Sequence, residues 1–174
     1  MTQQAVTQSK KNPGAFEITN RPVLAPLSHQ LLVKVSAVAL NQCDWKMPLR
    51  VPRPGAVDGG DYSGIVVRVG KDVTGWKVGD RAAGAQVASD VGRPGAGSFT
   101  EYVVEDADQC WHIPEHLTWE EGAAAGCAVT TSVGMALWRS LNLSGTPEEP
   151  TPKPKYVSFP SDSHATSNFL SVER

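Results

Sequence analysis

The 174-residue chain carries 16 Lys and Arg against 18 Asp and Glu, a formal net charge of −2, with 40% apolar and 20% charged residues. This is ordinary globular material, enough for one core and part of a second domain. Beyond Lys10-Lys11 and the spaced Lys153 and Lys155 there is no basic block, so a nucleic-acid surface is not indicated. No stretch approaches the roughly 20 apolar residues of a membrane span, and the opening MTQQAVTQSKKNPGAFEI lacks the apolar run of a signal peptide. Three cysteines, Cys43, Cys110 and Cys127, lie far apart, which fits a reducing, cytoplasmic setting rather than a disulfide framework.

Residues 1–14 are expected as a tail or edge segment. From Ala15 to about Trp111 short strand signals alternate with glycine-rich turns. LLVKVSAVAL is β-rich with imperfect alternation, GIVVRVG gives a second strand, and SFTEYVVED a third with Tyr102 and Val104 on one face. PRPGAVDGG and ASDVGRPGAG separate them as turns. Many short strands at such intervals predict a small, partly closed β barrel. Residues 59–84, GGDYSGIVVRVGKDVTGWKVGDRAAG, hold seven glycines. Gly64 leads into a strand pattern rather than a helix, which argues against a phosphate loop. The stretch reads instead as a hairpin in which Gly59, Gly64, Gly70, Gly75 and Gly79 supply turns or close chain passage. Asp61 stands between bare glycines with no histidine near it in sequence, too few ligands for a metal site.

The next segment, PEHLTWEEGAAAGCAVTTSVGMALWRSL, looks helical. Thr118 and Glu121 match a capping box, with Leu117 as a staple residue, and Val133, Leu137 and Leu141 repeat as one buried face. Glycines at 122, 126 and 134 favour two shorter helices over one. From Gly145 the composition changes: GTPEEPTPKPK reads as a linker, YVSF as a short strand, and PSDSHATSNFLSVER as a polar end.

The ordered motifs ALNQCDWK, GGDYSGIVVRVGKDVTGWKVGDR, GSFTEYVVED and GAAAGCAVTTSVGMALW resemble the medium-chain dehydrogenases and reductases over nearly all of residues 15–143. The resemblance implies a GroES-like barrel at 15–143 and a Rossmann domain that binds NADPH, with substrate in the cleft between them. On that reading residues 144–155 are a Pro-rich linker. Residues 156–174 are then an incomplete stub of the cofactor domain, since no glycine follows Gly145 and the pyrophosphate-binding turn cannot be recognised. The zinc ligands of the family would fall on Asn41, Gly60 and Cys127, and only the last is a usual ligand type, so no metal is expected.

Within the zinc-less branch, ALNQCDWKMP followed by GGDYSG looks similar to fungal trans-acting enoyl reductases. These serve highly reducing polyketide synthases, and the resemblance implies NADPH as hydride donor and an α,β-unsaturated thioester on an acyl carrier protein as substrate. It assigns Cys43, Asp44, Trp45, Lys46 and Thr131 to the cofactor and Thr130 and Met135 to the acyl pocket, with Lys46 and Thr131 as candidates for catalysis. Each has a plainer alternative: Lys46 as a solvated lysine with its stem on Trp45, Asp44 as a turn cap, Trp45 as packing, Thr131 as a helix residue bonded back to a carbonyl, and Cys127 as a small buried residue. A non-catalytic barrel fragment, and a quinone or enone reductase acting on free small molecules, are the alternative functions. The 174-residue chain is expected to be inactive alone, and exposure of Val133, Leu137 and Trp138 would favour self-association.

Overall fold

The computed structural model describes residues 1–88, 92–93 and 95–128. Its centre is a five-stranded antiparallel sheet in the order β6-β3-β4-β5-β7, built from β3 (Gln30–Ala39), β4 (Asp61–Val69), β5 (Arg81–Ala85), β6 (Tyr102–Asp106) and β7 (Cys110–His112). A second ribbon pairs β1 (Thr2–Gln8) with β2 (Phe16–Pro22). Bridges from Ala5 to Thr100 and from Thr7 to Val57 tie it to the loops around the main sheet, so the opening residues are joined to the curled half-barrel. Helix α1 (Gln42–Arg50) follows β3, and α2 (Trp119–Cys127) packs on β3, β4 and β5.

The imperfect alternation of LLVKVSAVAL has a structural cause. The pairing of β3 with β4 shifts register between Leu32 and Val33 and again between Val35 and Ala37. Such irregularities re-aim side chains that a strict period of two would send to the other face. Leu31 and Val33 are thereby fully buried and join Tyr62, Val66, Ala82 and Val103 in the main apolar cluster. On β6, Tyr102 and Val104 do share a face, but the buried face is the other one, carrying Val103 and Glu105.

Residues 59–84 form the expected hairpin, β4 pairing with β5 from Asp61↔Ala85 to Ile65↔Arg81. Its glycines serve two different needs. Gly75 and Gly79 take φ of +79° and +96° in the connecting turn, a region costly for other residues. Gly64 has no such φ; a Cβ there would overlap the carbonyl oxygen of Lys34 on the neighbouring strand. Gly84 similarly clears space for Tyr62, whose hydroxyl would lie 2.6 Å from an added Cβ and instead sits 3.3 Å from Cys110 Sγ. The Gly-Asp-Arg end of the hairpin closes the structure. Asp80 Oδ2 accepts from Lys77 N at 2.9 Å. The Arg81 guanidinium donates to the carbonyls of Pro114, Glu115 and Leu117 at 3.0, 3.2 and 2.7 Å and lies 4.2 Å from the Trp119 ring centroid.

Helix α2 starts on the expected capping box: Glu121 N donates to Thr118 Oγ1 at 3.2 Å and Thr118 N to Glu121 Oε2 at 2.8 Å. One detail differs from the sequence reading. Leu117 has no staple partner on the helix, because the facing position is Gly122, and the space there is taken by Ile113, whose Cδ1 would lie 2.7 Å from a Cβ on Gly122. The helix runs through Gly122 and Gly126, where the side chains of Ile113 and Asp61 approach its backbone, and the expected second helix lies outside the described residues. Gly134, Val133, Leu137 and Trp138 lie outside the described residues. Among the described residues no helix is long and apolar enough to cross a membrane.

Candidate active site

The end of β3, the start of β4 and the end of α2 meet at one buried carboxylate. Asp61 is 2% exposed. Its Oδ2 accepts from Asn41 Nδ2 at 2.9 Å and its Oδ1 from Cys127 N at 2.7 Å. Asn41 is the N-cap of α1 and Cys127 the last residue of α2, so one side chain links three elements. Gly126 makes this possible, since a Cβ there would overlap Asp61 Oδ1. Asp61 therefore neither holds a phosphate nor stands idle; it is a polar hub, and a buried charge of this kind persists only when its oxygens are satisfied.

The three positions that the family resemblance assigns to zinc do converge here. A Cβ built on Gly60 would lie 3.4 Å from Cys127 Sγ and 3.7 Å from Asn41 Nδ2. The donor set nonetheless does not fit zinc. The Asn41 amide nitrogen is directed to Asp61, and Gly60 offers no side chain. That leaves the Cys127 thiol as the one usual ligand type of the three, too few for a zinc site; burial and the neighbouring Asp61 carboxylate push this thiol's pKa up to about 12. No group of three or more His, Cys, Asp or Glu suited to a metal occurs among the described residues.

Beside this junction lies a cavity of about 330 Å³ whose lining includes Cys43, Met47, Val51, Gly60, Gln86 and Cys127. Met47 of α1, Val51 just past its end, and Val87 and Ala88 are its apolar lining, and Gln8, Arg53 and Asp58 join Gln86 as its polar lining. Asp44, buried at 5% exposure, caps that helix by accepting from Asn41 N at 2.6 Å. Burial raises its pKa, with the Asn41 hydrogen bond opposing. The cap is thus the role the structure gives Asp44, and Lys46 pairs elsewhere, donating to Gln42 Oε1. Lys46 Nζ also sits 5.2 Å from the ring centroid of Trp45, which is half exposed. Cys43 is at the cavity edge, and partial burial and then the Asp44 charge raise its thiol pKa. Both cavity thiols are thus held protonated, as weak donors rather than nucleophiles.

The structure brings Cys43, the Asp44 cap and Cys127 together, and places Trp45 and Lys46 on the outer part of α1. Thr130, Thr131 and Met135 lie outside the described residues. Sequence reasoning missed Met47, Val51 and Gln86 as cavity residues, and Asn41 as a partner of Asp61. For Met47 and Val51 a signal existed, as they follow Cys43 by four and eight residues, one and two helical turns. For Gln86, across the sheet, none did. A larger cavity of about 540 Å³ opens among Gln3, Leu24, Leu27, Gln86, Tyr102 and Val104, and none of the residues singled out from the resemblance borders it.

Comparison with known proteins agrees with this geometry. A family profile described as the alcohol dehydrogenase GroES-like domain matches residues 28–115. The chain is 56% identical over 172 residues to the trans-enoyl reductase xenG of Xenoacremonium sinensis, covering 97% of this chain and 46% of that protein. It is 56% identical over 173 residues to the trans-enoyl reductase gkaC of Penicillium citrinum, covering 97% and 48%. Among solved structures, an alcohol dehydrogenase superfamily protein from Novosphingobium aromaticivorans matches with a TM-score of 0.71 at 25% identity, over 82% of this chain and 44% of that one. The quinone oxidoreductase of Coxiella burnetii shares the fold with a TM-score of 0.68 at 21% identity, over 83% and 47%. The chain spans about half the length of the curated relatives it matches. With its GroES-like half-barrel, the chain belongs to the medium-chain dehydrogenase/reductase superfamily, with fungal trans-enoyl reductases among its relatives.

Proposed function

We propose that this chain is the substrate-side part of a zinc-independent trans-enoyl reductase that reduces an α,β-unsaturated thioester carried on the acyl carrier protein of a highly reducing polyketide synthase. The observation that carries the reading is the cavity at the α1–α2 junction: the family's metal positions converge on it, yet they offer a glycine and an amide beside the Cys127 thiol, and apolar Met47, Val51 and Val87 line it together with the polar Gln8, Arg53, Asp58 and Gln86. Such a site lacks the donors that would polarise an alcohol through a metal, and its apolar residues give an acyl chain a surface to pack on. NADPH, when bound, would supply the hydride, and the cytoplasm is the compartment that fits this reaction.

The chain's own residues have three tasks. Met47 on α1 and Val51 just past its end hold the acyl chain away from water, because both present apolar side chains to the cavity. The Asn41–Asp61–Cys127 link fixes α1 relative to β4 and α2, which keeps the cavity walls in register. Lys46, with its ammonium over Trp45, offers the charged donor of this helix, either to the ribose and phosphates of the cofactor or to the thioester oxygen where negative charge develops. Thr131 completes the cofactor set and Thr130 and Met135 the acyl pocket in this reading.

The test is NADPH oxidation with an enoyl thioester on a carrier protein, using the chain extended by the second half of a relative, with mass spectrometry of the product. Saturation of the thioester is expected. Reduction of free quinones with the thioester untouched would overturn the substrate class, and no turnover of either would overturn the enzymatic reading. Lys46→Ala that weakens NADPH binding assigns it to the cofactor; lost turnover at unchanged binding assigns it to the developing oxyanion.

A further inference from the structure

The glycine at the floor of the cavity has no structural reason to be glycine. Gly59 needs its φ of +93°, and Gly64 and Gly126 sit where a Cβ would overlap a neighbouring oxygen. Gly60 differs from all three. Its backbone lies outside the left-handed region, and an added Cβ meets nothing closer than Cys127 Sγ at 3.4 Å, then Gln86 O at 3.6 Å and Asn41 Nδ2 at 3.7 Å, all ordinary van der Waals contact. The residue is buried, it borders the cavity, and a glycine costs conformational entropy that an alanine would save. Neither conformation nor packing repays that cost. The cavity that Gly60 borders does, because any side chain there would take volume from it.

We propose that Gly60 is a specificity-determining position: its missing side chain leaves the cavity floor open beside Cys127 and admits acyl groups broadened by a branch next to the thioester. The inference rests on the enoyl-thioester reading of this site. An unbranched acyl chain takes less of the roughly 330 Å³ that Gly60 shares with Met47, Val51 and Gln86 than a branched one does. A branch needs breadth, and breadth is what a side chain at position 60 would remove. Because one methyl group too many in an apolar pocket is worth roughly 10- to 200-fold in discrimination, a single residue can set the preference.

The experiment uses the 174-residue chain as it stands, labelled with ¹⁵N, as wild type, Gly60→Ala and Gly60→Val. The probes are crotonyl and 2-methylcrotonyl thioesters of N-acetylcysteamine, and benzene as a shape probe free of thioester chemistry. Shifts of the Gln86, Val87 and Cys127 amides report binding, and a thermal melt reports folding. Gly60→Ala is expected to melt at or slightly above the wild type, as its contacts allow and the entropy saved favours. Wild type should bind all three probes. Gly60→Val should bind crotonyl thioester within about threefold of wild type and lose the branched thioester and benzene by roughly tenfold or more, with Gly60→Ala between. Should Gly60→Val fail to fold, the same order is read from wild type against Gly60→Ala. Benzene that binds wild type and variants alike, or not at all to wild type, overturns the proposal. Equal weakening of both thioesters also overturns it. If benzene follows the expected order while neither thioester binds wild type, the open floor stands and the branched-acyl preference falls together with the enoyl-thioester reading.

Discussion

The β4–β5 hairpin and the α1–α2 junction are built from similar residue types yet are held together in opposite ways. In the hairpin, glycine identity is enforced by backbone geometry and the interior is apolar, with Tyr62, Val66 and Ala82 fully buried. At the junction the centre is a carboxylate satisfied by an amide side chain and a helix-end N–H, and the glycine beside it is sterically unforced. The difference separates scaffold from site. Where chains pass at van der Waals distance nothing can be exchanged, whereas a hydrogen-bonded hub can border empty space and leave room for a ligand.

The comparison is broken most severely at Gly64. Alanine there would drive Cβ into a backbone carbonyl that cannot rotate away, so Gly64→Ala should cost about 3 kcal/mol or more and leave little folded protein, as read by urea denaturation or soluble yield. Asp61→Asn tests the junction. The amide can accept from only one of Asn41 and Cys127 N and turns a donor toward the other, so the loss should be about 2–3 kcal/mol in the same assay. It should also bring the Cys127 thiol down from about 12, a fall that titration with a thiol reagent would detect, because the Asp61 charge contributes to that elevation. Thr118→Ala should cost about 1 kcal/mol by removing the α2 cap, and Thr118→Ser should restore most of it.

The smallest expected effect is a pH dependence from the sheet. Burial raises the Glu105 pKa above its ordinary value, against the opposing hydrogen bonds from Gln86 and Asp106 N. The folded state therefore holds this proton at a pH where the unfolded chain has released it. The sign follows: the contribution is fully present below the ordinary carboxylate value of 4.5 and is lost as pH rises through the folded-state pKa. Glu105→Gln should flatten the stability profile just above pH 4.5, measured by denaturation across pH 4 to 7, and an unchanged slope would assign it to another group.

Much of this organisation was legible in the chain itself. The Thr118/Glu121 capping box, the hairpin at 59–84 and the strands of β3, β4 and β6 are written in short-range patterns, because caps, turns and pleats depend on residues a few positions apart. The loss of two metal-ligand types at Asn41 and Gly60 is equally a matter of sequence, once the family motifs are recognised. What only the tertiary structure decided are the encounters between distant segments. The bonds from Asn41 and Cys127 to Asp61 span 20 and 66 positions. The same holds for Ile113 filling the place of a staple at Gly122, and for which face of β6 is buried. Gly64 and Gly60 look alike in sequence; one is glycine because a neighbouring strand's carbonyl lies against it, the other faces a cavity. Local chemistry fixes which conformations a segment can take, but which atoms meet across the fold is set by packing of the whole domain, and that is where the site was made.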